Sequence, residues 1–301
     1  MKRKMNYMMN SWELYVFILP AVILTIIFKY LPIYGVQIAF RKFSLTGGFL
    51  GGDFNGLDNF IRFFNVYGAW DIIRNTLTLS FGILIFTFPL PIILALMLHQ
   101  VNNEKFKKIV QSITYSPHLI SIIVIAGMLY VFLSPDTGII NLLLKKLGAE
   151  PIFFLGLADW VQPLYIISDI WQETGFNAVI YIAALSMVDI EQIEAATIDG
   201  VNRFQKIWHI DLPSIMPTIV VLFVLKVGRI MDVGFEKMLL LQNPMNISKS
   251  ENISTYVYRA GIVEGNYSFA TAVGLMNSVI SVLLLIFTNV MVKKFSGNSL
   301  Y

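Results

Sequence analysis

Several stretches of this chain run for about 20 residues with mostly apolar side chains, the length a helix needs to cross the hydrocarbon core of a bilayer. They lie at about Leu14 to Tyr34, Asn75 to Leu98, Ile113 to Leu133, Pro163 to Met187, Ile215 to Leu241 and Thr271 to Val292. In lipid every backbone amide and carbonyl has to be satisfied within the protein, so segments of this kind predict helices rather than open strands. The expected fold is all-α, a polytopic membrane protein with six transmembrane helices. Charge agrees, since only 14% of the residues are Asp, Glu, Lys or Arg, against roughly a quarter in soluble domains.

The first run follows Lys2-Arg3-Lys4. It has no small-residue cleavage site and is long for a signal peptide, so it reads as a retained span. Basic residues are densest in the N-terminal tail, around Lys105, Lys107 and Lys108, around Arg203 and Lys206, and at Lys293 and Lys294. The tendency of Lys and Arg to stay inside therefore predicts both termini in the cytoplasm. Three regions follow: residues 1–70 as tail, first helix and outer loop, 71–292 as the transmembrane core, and 293–301 as a cytoplasmic tail. The outer loop holds Gly47, Gly48, Gly51, Gly52 and Gly56 among Phe49, Leu50 and Phe54. Packed turns and a flexible connector both fit that pattern. Asn246, Asn252 and Asn266 each begin a glycosylation-type triplet, a match so short that chance accounts for it.

Other classes are poorly served. The chain has no Cys, so disulfides, thiolate metal sites and a Cys nucleophile are absent, and His99, His118 and His209 are scattered rather than clustered. No metal site is expected. The net charge of +3 comes without a long basic run, which fits membrane orientation better than a nucleic-acid surface. No nucleophile, metal or acid/base set recommends an enzyme.

Between the fourth and fifth runs, residues 189–213 form the longest amphipathic segment. Asp189 with Gln192 has the form of a capping box and predicts a helix from about Ile190. Gly200 can take the left-handed conformation that ends a helix, and Asn202 with Gln205 repeats the capping pattern. The second helix should carry an apolar stripe of Phe204, Ile207 and Trp208 toward a partner and stop at Pro213.

Charges inside a span are costly, about 2.5 to 3.5 kcal/mol each on insertion scales, so they usually face the protein or a pathway. In the fourth run Asp169, Gln172, Glu173 and Phe176 share one helical face by spacing, and in the fifth Lys226, Arg229 and Asp232 do so. These stripes have complementary charge. They fit a polar solute pathway, a structural ion pair between helices, or, for the acids, a solvated rim. Pro89 and Pro91 should bend the second span, and the stretch Ser112 to Ser121 makes the start of the third unusually polar. Such irregularity at membrane depth favours a transporter over an anchor.

The segment Glu194-Ala-Ala, three residues, Gly200, nine residues, Ile210, one residue, Leu212-Pro213 resembles the EAA loop of binding-protein-dependent ABC importer permeases. Further likeness runs from Trp12-Glu-Leu-Tyr through Asn75-Thr-Leu and Ser134-Pro-Asp-Thr-Gly to Gly234-Phe-Glu236, and is to the maltose-permease-like carbohydrate group, especially its polysaccharide branch in Gram-positive bacteria. The resemblance implies the type I importer permease fold in the cell membrane. It also implies a coupling role toward an ATPase for Glu194, Ala195, Ala196, Asp199, Gly200 and Phe204. The partners it implies are a second homologous permease subunit, two ATP-binding cassette subunits and an extracytoplasmic solute-binding lipoprotein, with oligo- or polysaccharide as cargo. ATP and Mg would be held by the ATPase, and this chain has no G-x-x-x-x-G-K-[ST] loop of its own. Sugar-contacting positions of the family fall on Asp169, Gln172, Glu173 and Phe176, and in the fifth span on the region from Lys226 to Val233. Val201 departs from the usual Ala, a large periplasmic insertion is missing, and the pathway has more charge than a neutral sugar needs. A uronic-acid-containing cargo would account for that charge. The alternatives are a permease for another polar solute and a stand-alone secondary transporter.

Overall fold

The computed structural model describes residues 12–43, 47–48, 52–232 and 234–296. The basic tail Lys2-Arg3-Lys4, Phe49, Leu50 and Gly51 of the outer loop, Val233, and the residues after 296 lie outside that set. Helices in chain order are α1 (Trp12–Phe40), α2 (Asp58–Phe64), α3 (Ala69–His99), α4 (Glu104–Leu119), α5 (Ile122–Phe132), α6 (Ile139–Lys146), α7 (Ala158–Leu185) and α8 (Ile190–Ile198). They continue with α9 (Arg203–Gly228), α10 (Phe235–Leu241), α11 (Ile247–Ser250), α12 (Ile253–Tyr258) and α13 (Tyr267–Ser296). Among the described residues the only strand-type pairing is isolated bridging such as Arg41 with Phe54.

Among the described residues four helices, α1, α3, α9 and α13, are long and apolar enough to cross a membrane. A fifth crossing is available if α4 and α5 are one broken span. The third run therefore departs from a single helix: α4 and α5 meet at 96°. Pro117 lies in the 3₁₀ turn Ser116–Leu119, and the Ser121 hydroxyl accepts from Val124 N to start α5 afresh, so the polar stretch between them is a corner. The fifth run also divides, since α9 ends at Gly228 and α10 begins beyond Gly234, which has φ +86°. Helix α7 has 28 residues, roughly 42 Å at 1.5 Å each, but its polar face keeps its apolarity below that of the others.

The chain forms two compact units. The first combines residues up to Asn65 with Val257–Leu275. In its α1 the most apolar window has no buried residue, leaving that surface to lipid or another chain. The second, Val66–Tyr256 with the chain after Leu275, is built around α7. One end of α7 enters a core with Leu79, Ile83, Ala126, Phe154, Met238 and Leu241, and the other packs Ala178, Tyr181 and Leu185 against Ala95, Leu96 and Ile215. Gly175 permits the closest approach: a Cβ there would lie 2.0 Å from the Thr114 carbonyl oxygen, so any side chain would push α4 off α7.

Buried amides tie the loops of the second unit. Asn246 Nδ2 donates to Leu155 O at 2.9 Å and Leu241 O at 3.0 Å, and Asn75 Nδ2 donates to Ser248 O and Glu251 O. Asn246 and Asn252 are 0% and 1% exposed, which closes both glycosylation-type triplets to modification in the folded chain.

Candidate functional site

Residues 189–213 fold largely as their spacing predicts. Asp189 Oδ1 accepts from Glu191 N at 3.0 Å and α8 follows at once. Gly200 has φ +73°, which lets Val201 N turn back to Ala196 O at 3.1 Å and satisfy a carbonyl at the helix end. The next capping box is complete, with Gln205 N donating to Asn202 Oδ1 and Asn202 N to Gln205 Oε1, both 2.9 Å. Glu194, Ala195, Asp199 and Gly200 are exposed, and Ala196 is turned inward.

Pro213 does not stop the second helix. A π turn at Ile207–Asp211 places Pro213 in the first turn of the continuing α-helix, where a missing amide is tolerated, and α9 runs on to Gly228. The wider turn also splits the expected stripe. Ile207 packs on the core beside Ile215, whereas Phe204 and Trp208 remain 85% and 68% exposed. Phe204 and Trp208 thus present two large rings to solvent, and Ile198 is likewise exposed. The segment is anchored from below by Asp211, which is fully buried and accepts from Gln100 Nε2 at 2.6 Å. His99 Nε2 lies 3.6 Å from the other Asp211 oxygen. Sequence reasoning passed over Asp211 because an acid beside a loop reads as solvated.

The two charged stripes do not pair with each other. Asp169 is met by Lys237 of α10, Nζ to Oδ1 3.2 Å, and that ammonium also lies 4.8 Å from the centre of the Tyr165 ring. Lys237 is 3% exposed. Glu173 Oε1 is 3.3 Å from His118 Nδ1 in the α4–α5 corner, and its other oxygen accepts from Asn177 at 3.5 Å. Gln172 Nε2 donates to Ile120 O across the same corner, and the His118 ring stacks on Phe176 at 3.8 Å and 9°. The α7 face thus grips the break between α4 and α5. His118 and Lys237 were missed because each acts across a chain break that helical periodicity cannot register; Asn177, four residues after Glu173 on the same helix, was within reach of that periodicity.

Lys226, Arg229 and Asp232 are not one helical face, because α9 ends at Gly228, between the first and second of these positions. Asp232 turns to Asn277, which donates to it at 3.1 Å. Lys226 and Arg229 instead line a cavity of about 340 Å³ with Thr87, Phe88, Asn177 and Tyr181. No carboxylate of the described residues pairs with either cation. Thr87 Oγ1, next to the prolines of α3, has no hydrogen-bond partner either. The cavity therefore offers unspent hydrogen-bond donors and positive charge at membrane depth. Among the described residues no three His, Asp or Glu side chains gather as a metal site.

Broken and irregular helices around a cavity lined by two cations, joined to a capped segment with an exposed apolar face, define a membrane component of a transporter. The model of the binding-protein-dependent transport system inner membrane component family matches residues 87–297, and the chain belongs to that family. It is 42% identical over 292 residues to Protein LplB of Bacillus subtilis (strain 168), covering 97% of this chain and 92% of that one. It is 40% identical to the polygalacturonan/rhamnogalacturonan transport system permease protein YteP of the same strain, covering 100% of this chain and 94% of that one. A chain of a bacterial alginate ABC transporter, solved in complex with an alginate pentasaccharide-bound periplasmic protein, superposes with a TM-score of 0.89 at 39% identity, covering 98% and 99%.

Proposed function

We propose that this chain is one of two homologous permease subunits of an ATP-driven importer that takes up acidic oligosaccharides handed over by an extracytoplasmic binding protein. The observation that carries the acidic cargo is the pair Lys226 and Arg229, facing one cavity with no acid to neutralise them. Lys226 is half-buried without a counter-ion, and a passing carboxylate would relieve the cost of holding its ammonium partly away from water. Guanidinium and ammonium groups would bind a uronate through charge-assisted hydrogen bonds, with Asn177 and Thr87 available to hydroxyls. Relatives named for polygalacturonan and alginate support the same chemistry.

The chain crosses the membrane six times in this reading, with α7 as the polar central span, α4 and α5 as one broken span, and both ends in the cytoplasm. Residues 189–213 then lie on the cytoplasmic side and seat in a groove of an ATPase. Glu194 meets a basic residue there, Asp199 and Gly200 form the turn, and Phe204 fills an apolar hollow. Closure of the ATPases pushes this segment, and the push reaches the cavity through α9, which is continuous from Arg203 to Gly228. Hydrolysis belongs to the ATPases. Of the fourth-run acids, Asp169 serves the fold through Lys237, and Glu173 with Phe176 and Gln172 sets the corner beside the pathway. The test is ATP hydrolysis by the assembled complex with loaded binding protein, in Gly200→Pro and Glu194→Lys. Loss of ligand stimulation with assembly intact supports the coupling role, and full stimulation in both variants overturns it. Mass spectrometry of the ligand retained by the binding protein identifies the cargo, and a neutral sugar or a peptide there overturns the acidic reading.

A further inference from the structure

The first unit contains a second polar cavity, of about 430 Å³, which the transport reading leaves unused. Apart from Phe43 its lining is polar or charged, and the groups that matter are Lys42, Asn55, Asp58, Arg62 and Asn266. Its walls are fixed by the backbone rather than by these side chains. Lys42 N donates to Asp53 O at 2.9 Å and Asn55 N to Phe40 O at 3.0 Å, around the Arg41–Phe54 bridge. Asn59 Nδ2 donates to Ala39 O at 2.8 Å, and Phe43 N to Ser268 Oγ at 2.8 Å. The cavity is therefore held open by three chain segments that would keep their shape without a ligand.

Its functional groups are left with unused capacity. Arg62 rests its guanidinium over the Phe269 ring, 4.8 Å from the centre, an arrangement that holds the plane still and leaves the N–H edge to bind a carboxylate. Neither Lys42 nor Arg62 has a carboxylate within ion-pair distance among the described residues. With Asp58 as the one acid among the lining groups, the cavity keeps a net positive charge. Asn55 Oδ1 is buried without any hydrogen-bond partner, and such an acceptor is costly until a donor reaches it. Phe43 stands edge-on to Tyr267, centroids 5.7 Å apart, which fixes its ring at the cavity wall.

Two cations, unpaired amide and carboxylate acceptors, and a fixed aromatic ring match the surface of a single uronate unit, with its carboxylate, hydroxyls and apolar ring face. We infer that this cavity is an entry subsite on the extracytoplasmic side, where one uronate residue of the incoming oligosaccharide is held between Lys42 and Arg62 before it reaches the membrane cavity. The inference rests on the acidic-cargo reading and on the proposed orientation. It adds a site separate in sequence from Lys226 and Arg229, built on a different unit of the chain.

The test is calorimetric binding of trigalacturonate to the purified permease–ATPase complex, in wild type, in Lys42→Glu, and in Lys145→Glu, the same charge reversal at an exposed lysine of α6 that lines neither cavity. The Lys42 side chain makes no bond within the fold that the variant would break, so a folding failure is not expected, and gel filtration checks it. The expected result is a tenfold or greater loss of affinity in Lys42→Glu, with wild-type affinity in Lys145→Glu. Equal binding in wild type and Lys42→Glu, or no binding in wild type, overturns the entry subsite. Uptake of trigalacturonate by the wild-type complex with its binding protein reads the cargo separately. Uptake without a Lys42 effect removes the subsite alone, and no uptake removes the acidic cargo.

Discussion

The ammonium of Lys237 lies 3.2 Å from Asp169 Oδ1, joining α7 to a short helix that begins only after α9 has ended. Asp169 is thereby neutralised by a residue outside the fifth-span stripe, and Lys226 and Arg229 are left facing the cavity. Replacing Lys237 by Met strands a largely buried carboxylate, for which a loss of about 3 to 5 kcal/mol is expected. Thermal unfolding of the complex in detergent should show a clear fall for Lys237→Met. The double variant Asp169→Asn/Lys237→Met should recover most of it. No difference between the single and double variants would show that the pair carries no coupling.

Gly175 sets the spacing between α7 and α4. Gly175→Ala places a methyl group 2.0 Å from the Thr114 carbonyl, so α4 must shift along with the His118–Phe176 stack next to it. The expected cost is about 1 to 3 kcal/mol of stability, together with lowered uptake. Calorimetry and transport assays check both, and an unshifted unfolding temperature would mean that the helices part without strain.

Asp211 joins the C-terminal end of α3 to the start of the continuing α9 through Gln100. Asp211→Ala leaves the half-buried Gln100 amide without its acceptor, a loss of roughly 1 kcal/mol. The variant should also reduce ligand-stimulated ATP hydrolysis more than basal hydrolysis, because it loosens the base of the proposed coupling segment. Equal reduction of both rates would assign Asp211 to stability alone.

Asn202→Ala removes one arm of the capping box at the head of α9. About 1 kcal/mol is the usual cost of losing such a cap. Deuterium exchange at residues 203–206 should quicken in the variant while α7 amides stay protected, and uniform quickening would place the effect elsewhere.

Local signals proved legible where the chemistry is local. The turn at Gly200 and the capping box from Asn202 to Gln205 appear where spacing places them, because each is decided within a few residues. Contacts across breaks were not legible. A period of 3.6 assumes one continuous helix, and it could not anticipate the corner at Ser116–Leu119, the end of α9 at Gly228, or the π turn that carries the helix through Pro213. For that reason the face of α7 was found, while its partners His118 and Lys237 were not. Apolar runs placed the helices well. They carried no information on Asp211, whose burial depends on a contact 111 residues away in sequence.

The most direct test of the account is uptake into proteoliposomes containing the full complex and its binding protein, comparing wild type with Lys226→Gln/Arg229→Gln. The wild type should accumulate trigalacturonate, and the double variant, assembled normally, should lose at least tenfold of that rate. Undiminished uptake by the assembled double variant would contradict the assignment of these two cations to the solute pathway.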